Sequence, residues 1–193
     1  MKTLRFIIVG LTVSSVILLT ACSSATKLKY LNEPFTTTEM KIPLTLTEIE
    51  FTDNRADTSS RAVNIPRYTK LGQKDTVRQS LRQEHRTLLN EEMKAYFTGG
   101  GKEVKAVVEV IDGSKCFEAG RMTEIEFVRV RLGLTLLDEE HTPYFLKSSG
   151  EAMYEIKSLD AKNEFIEKLY QKALKAALYK CCEGITGTLQ QVQ

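Results

Sequence analysis

Tryptophan is absent from this chain of 193 residues, and histidine, cysteine and proline are scarce, at two, four and four. Two histidines, His85 and His141, leave little material for an imidazole-built metal centre, and the cysteines form no C-x-x-C pair of the kind that holds zinc. Charge of one sign is lacking too: 27 Lys+Arg stand against 25 Asp+Glu. A domain that grips nucleic acid needs a basic stripe, so no nucleic-acid partner is expected. Thr98-Gly99-Gly100-Gly101-Lys102 lacks the glycine spacing and the following helix of a phosphate loop. No G-x-S-x-G and no H-E-x-x-H occurs. These absences leave no catalytic residue, metal ligand or cofactor site to nominate, and a non-enzymatic protein is expected.

What is present begins at the N-terminus. Lys2 and Arg5 precede an uncharged run from Phe6 to Leu19, too short for a spanning helix, which needs about 20 apolar residues. The run ends in Leu19-Thr20-Ala21-Cys22. This order of aliphatic residue, two small residues and cysteine resembles the bacterial lipobox. Residues 1–21 then form a signal peptide and Cys22 becomes the lipidated first residue, with acyl chains (palmitate among them) as the membrane anchor. Ser23 follows where an Asp would favour the inner membrane, so the expected place is the outer membrane, facing the periplasm. Loss of Lys2 and Arg5 leaves 25 charges of each sign, so the excess basic charge belongs to the leader.

Residues 22–40 read as a lipidated tether, 41–187 as a single domain and 188–193 as a tail. Ile42 to Asp53 alternates as a strand with a phase slip near Thr47-Glu48, as at a bulge. Asn54 to Gly72 has no period and reads as a long loop. Val77, Leu81, Leu88, Leu89, Met93, Tyr96 and Phe97 recur at helical spacing, from an opening at Lys74 or Asp75 to a stop at Gly99-Gly100-Gly101. Glu103 to Asp112 reads as a strand, with Gly113 to Gly120 as its turn. Glu124 to Leu137 alternates most clearly: Val128, Val130, Leu132, Leu134 and Leu136 on one face, with Arg129, Arg131 and Thr135 on the other beside Glu124 and Glu126. After an acidic turn containing His141, Tyr144 to Ile156 is a further strand, interrupted near Ser148-Ser149-Gly150. Asp160 to Cys182 is a final amphipathic helix that Gly184 ends. The order β-α-β-β-β-α defines an α+β fold, a four-stranded, mostly antiparallel sheet with two helices packed on one face. The helix between the first two strands allows one parallel pairing.

Glu48 to Arg55, then Gly99-Gly100-Gly101 leading to Val107-Val108-Glu109-Val110, then the strand from Arg129 to Leu137, give a pattern similar to small envelope lipoproteins of the YajG type. LptE-like, curli-secretion and transport-auxiliary lipoproteins share it. The resemblance implies a binding or assembly role, with an envelope protein as partner and no catalytic residues. Possible partner contacts are Asp53, Arg55 and Arg61, where the first strand enters the loop, and Arg129 and Arg131 on the outer sheet face. A small-ligand or glycan site between loop and sheet is the alternative. Cys116 can pair with Cys181 or Cys182, or all three can stay reduced; one thiol is left over in any case.

Overall fold

The computed structural model describes residues 40–138 and 146–192. Cys22 and His141 lie outside them, as does most of the acidic turn. The elements are β1 (Thr45–Thr52), β2 (Lys74–Arg78), α1 (Gln83–Tyr96), β3 (Glu103–Ala119), β4 (Glu124–Asp138), β5 (Leu146–Ser158) and α2 (Asn163–Val192). The α+β class and the expected order hold, with one strand more than expected.

That strand arises because β3 is 17 residues long. Its first half pairs in parallel with β1, Thr45 opposite Glu103 and Thr52 opposite Glu109. Its second half pairs antiparallel with β2, Lys74 opposite Glu118 and Arg78 opposite Ser114. The two short strands therefore lie end to end along one edge of β3, and β4 and β5 complete a mixed sheet on the other side. The expected bulge in β1 falls between Leu46 and Glu48.

A second bulge, between Val110 and Asp112, extends β3 beyond its expected end. Before it, Val104, Ala106, Val108 and Val110 point to the core; after it, Gly113, Lys115, Phe117 and Ala119 do. The extra residue, Ile111, is pushed outward and 40% exposed. A one-residue insertion exchanges the two faces of a strand. The reading of Gly113 to Gly120 as a turn is thereby corrected, and the hairpin itself is the short link 120–123.

Lys74 to Arg78 is a strand rather than the first turn of α1, which starts at Gln83. Val77 is buried on the sheet, and its helical spacing to Leu81 and Leu88 is fortuitous. α2 also runs past Gly184 to Val192, through residues set aside as a tail. Gly184 is a point of close approach: a Cβ there would overlap Ser148 Oγ of β5. A Cβ on Gly150 of β5 would overlap the backbone of α2 at Ala177 and Cys181. Two glycines thus seat the long helix on the strand, where side chains would hold it off. Ile166, Leu169, Leu174, Ala177, Leu178 and Cys181 of α2 are buried against Val128 to Leu136 of β4, and Leu89 and Met93 of α1 join the same core. Among the described residues, no helix lies on the opposite face of the sheet.

Candidate functional site

The titratable groups gather in a buried seam between the second half of β3, the start of α1 and the first turns of α2. His85 is fully buried. The backbone N–H of Arg82, the residue capping α1, donates to its Nδ1 at 3.4 Å. Its Nε2 lies 3.1 Å from Glu167 Oε1 and 3.2 Å from the Arg82 guanidinium. Glu167 also accepts from Lys115 Nζ at 2.8 Å and pairs with the Arg82 guanidinium at 2.7 Å. Burial alone would raise the Glu167 carboxyl, but the bonds from His85 and Lys115 and the charges of Lys115 and Arg82 outweigh it and hold the group at about 2. Lys115 lies 5.6 Å from the centre of the Tyr170 ring.

Tyr170 links this cluster to a second one. A Cβ on Gly113 would overlap its hydroxyl, so the glycine makes room for the phenol. Beside it, Arg55 donates to both carboxylate oxygens of Asp53, at 2.7 and 2.8 Å, and to the carbonyls of Gly113 and Gln79, at 3.2 and 2.7 Å. Asp53 accepts in addition from the Leu81 N–H at 3.0 Å. Burial would raise the Asp53 carboxyl; the Arg55 and Leu81 bonds reverse this and lower it. Asp53 and Arg55 therefore clamp the end of β1 to the β3 bulge and to the entry of α1.

Glu84, His85 and Glu167 bring three ligand atoms within 4.8 Å of one another. The set does not fit a divalent cation, because Arg82 already neutralises both carboxylates, at 2.5 and 2.7 Å, and Lys115 occupies the second oxygen of Glu167. The arrangement is a closed ion network.

The remaining nominated residues are dispersed. Arg61 grips Asp75 with two bonds, at 2.6 and 2.8 Å, fastening the loop to β2. Arg129 and Arg131 do face outward from β4; Arg129 pairs with Glu151 at 2.6 Å and stands 3.5 Å from Asp112, and Arg131 is exposed. Glu126, expected beside them, is instead fully buried on the helix-bearing face, because even-numbered positions of β4 point inward. Its Oε1 accepts from Ser158 Oγ at 3.0 Å, its Oε2 is unpartnered, and burial raises its carboxyl. Cys116, Cys181 and Cys182 are free and buried. The Cys116–Cys181 pairing does not form: Cys116 belongs to the outward row of β3, while Cys181 faces the core, its thiol donating to the Leu132 carbonyl at 3.5 Å.

Lys115, Arg82, Glu167 and Tyr170 were not singled out by sequence. A signal existed in Glu167 and Tyr170, which fall about one turn apart, each directly after a buried apolar residue, Ile166 and Leu169.

No family model matches the chain, and no curated protein matches it in sequence. Among solved structures it is similar to protein XCC0632 of Xanthomonas campestris, of the DUF330 family, with 13% identity and a TM-score of 0.47 over 81% of this chain and 93% of that one. It is also similar to a protein of Caulobacter crescentus CB15 described as a "putative lipoprotein", with 16% identity and a TM-score of 0.38 over 57% of this chain and 84% of that one.

Proposed function

We propose that this chain is a lipid-anchored module of the bacterial envelope, held through Cys22 at the outer membrane and facing the periplasm, that acts by binding an envelope protein in assembly or transport. The observation that carries a binding rather than a catalytic role is the closure of the polar seam. Its imidazole is fully buried, and its Glu167 carboxylate, though 25% exposed, is taken up by Lys115, Arg82 and His85, which suits a structural tie better than a group that meets a substrate. Asp53 and Arg55, which a small-ligand or glycan site in the long loop would use, are engaged by the backbone and by each other.

The uncovered sheet face is the surface on which such a module would receive its partner. It presents exposed Arg131 and Met153, with Ile125 and Phe127 half-buried in the same rows. A photo-crosslinking residue placed at Met153 or Arg131 in the full chain in living cells should trap a defined envelope protein. The same residue at Lys94, on exposed α1, should not. Equal or absent products from the two surfaces would remove the sheet face from the account.

A further inference from the structure

One end of the sheet carries a concentration of exposed apolar side chains. Gly72 N–H donates to the Ala119 carbonyl and Ala119 N–H to that of Gln73, both at 2.8 Å. Gly120 N–H closes the β3–β4 hairpin onto Thr123 at 2.9 Å, and Glu124 sits opposite Ser158. The loop before β2, the hairpin tip and the link from β5 to α2 are therefore neighbours. Tyr68 is 82% exposed, Leu71 70%, Met122 82% and Leu159 66%. Among the described residues only Ile111 and Met153 are large exposed apolar groups elsewhere. Arg67 lies 5.7 Å from the centre of the Tyr68 ring, and Arg67, Lys70 and Arg121 make no ion pair among the described residues. Of the acidic groups at this end, Glu118 pairs with Lys74 and Asp160 with Lys162, and Glu124 accepts from the Ala161 N–H, so Arg67, Lys70 and Arg121 leave the tip with an excess of positive charge.

We propose that this tip docks on an anionic phospholipid bilayer, inserting Tyr68, Leu71, Met122 and Leu159 at the headgroup boundary while Arg67, Lys70 and Arg121 meet the phosphates. Isolated tips standing almost free in solvent suit a fluid interface, which needs no complementary pocket, better than a protein surface, whose anchors are packed. Aromatic and basic side chains are the groups that partition to that depth. The chain enters the domain at the other end: Thr45 N–H bonds to the Lys102 carbonyl, at the start of β3. The two ends are separated by the length of β3, roughly 50 Å at 3.3 Å per residue. This inference goes beyond the proposed anchor and stands whether or not Cys22 carries lipid.

The absence of tryptophan makes a direct test possible. M122W in the full-length protein installs a single tryptophan at the tip, excited selectively over the tyrosines, L159W is a second such reporter, and K94W on α1 is the control. The protein is mixed with, or reconstituted into, phosphatidylethanolamine–phosphatidylglycerol vesicles carrying brominated acyl chains. The brominated lipid is placed either in the host vesicles or in a second population. The tip reporters should shift to the blue and lose at least half their emission in one of the two arrangements, with K94W unchanged. Within the M122W background, R67Q and R121Q should each lower the docked fraction's equilibrium constant about fivefold, the weight of one basic residue at a charged surface. Water-like emission from both tip reporters with every vesicle overturns the proposal. So does quenching equal to that of K94W, or a concentration-dependent blue shift without lipid, which would make a second copy the occupant.

Discussion

Glu167→Gln should be the most damaging isosteric change in the domain. The glutamine keeps the volume but removes the charge that three groups share. Lys115 suffers most, since its side chain is 5% exposed and its ammonium bonds to Glu167 at 2.8 Å. Breaking a buried pair by deleting one partner costs about 3–5 kcal/mol, because the other charge stays desolvated. A similar figure follows from the carboxyl: lowering it from 4.5 to about 2 corresponds to about 3 kcal/mol of folding energy at neutral pH. For a domain of this size, about 3–5 kcal/mol is a fall in Tm of roughly 6–20 °C. Because the folded carboxyl is depressed, its contribution is complete above about pH 4.5 and disappears as pH falls towards 2. Urea unfolding followed by circular dichroism, at several pH values, should therefore show wild type and E167Q converging in acid. The double variant K115M/E167L, which removes both charges, should recover more than half of the loss at pH 7. A cost for E167Q below about 1 kcal/mol, or a double variant no more stable than E167Q, would refute the view that a closed ion network holds α2 to β3.

Gly150→Ala should destabilise by about 1–3 kcal/mol in the same unfolding assay, since the added methyl meets α2 backbone that cannot rotate away. Gly113→Ala should cost a similar amount, with much of the loss relieved in a Tyr170→Phe background, because the methyl overlaps the phenol oxygen. Glu126→Gln should act in the opposite sense to E167Q. Burial raises the folded carboxyl above its ordinary 4.5, so stability present in acid is lost as pH rises through the folded value; the variant should melt higher than wild type at pH 7 and match it at pH 4. Cys181, pushed up to about 12 by burial, should with Cys182 resist alkylation under native conditions and react at the rate of global unfolding, as thiol mass-labelling would read.

The sequence was most legible where one period ran uninterrupted. Val128 to Leu136 alternate without a break, and their inward set is buried, joined from the outward row only by Gly133, which Ile111 covers. Legibility failed where a local signal had two physical sources. Val77 keeps a helix-like interval to Leu81 and Leu88 while lying in a strand paired with residues some 40 positions on. Gly184 carries the mark of a helix stop, but it is glycine because Ser148 needs the space. Ile111 breaks the alternation of β3 by one residue, so the inward row changes parity and reads as a turn. The seam was the least accessible feature. Lys115 and Glu167 are 52 residues apart, and nothing local to either announces the other.

The proposed function rests first on Cys22 becoming the lipidated N-terminus of an envelope protein. Intact mass spectrometry of the protein extracted from membranes tests this most directly, combined with labelling by a clickable palmitate analogue. The expected mass is that of residues 22–193 plus a diacylglycerol and an N-linked acyl chain, with the label lost in Cys22→Ala. A mature chain that still begins at Met1, or one cleaved elsewhere and carrying no lipid, would contradict the claim.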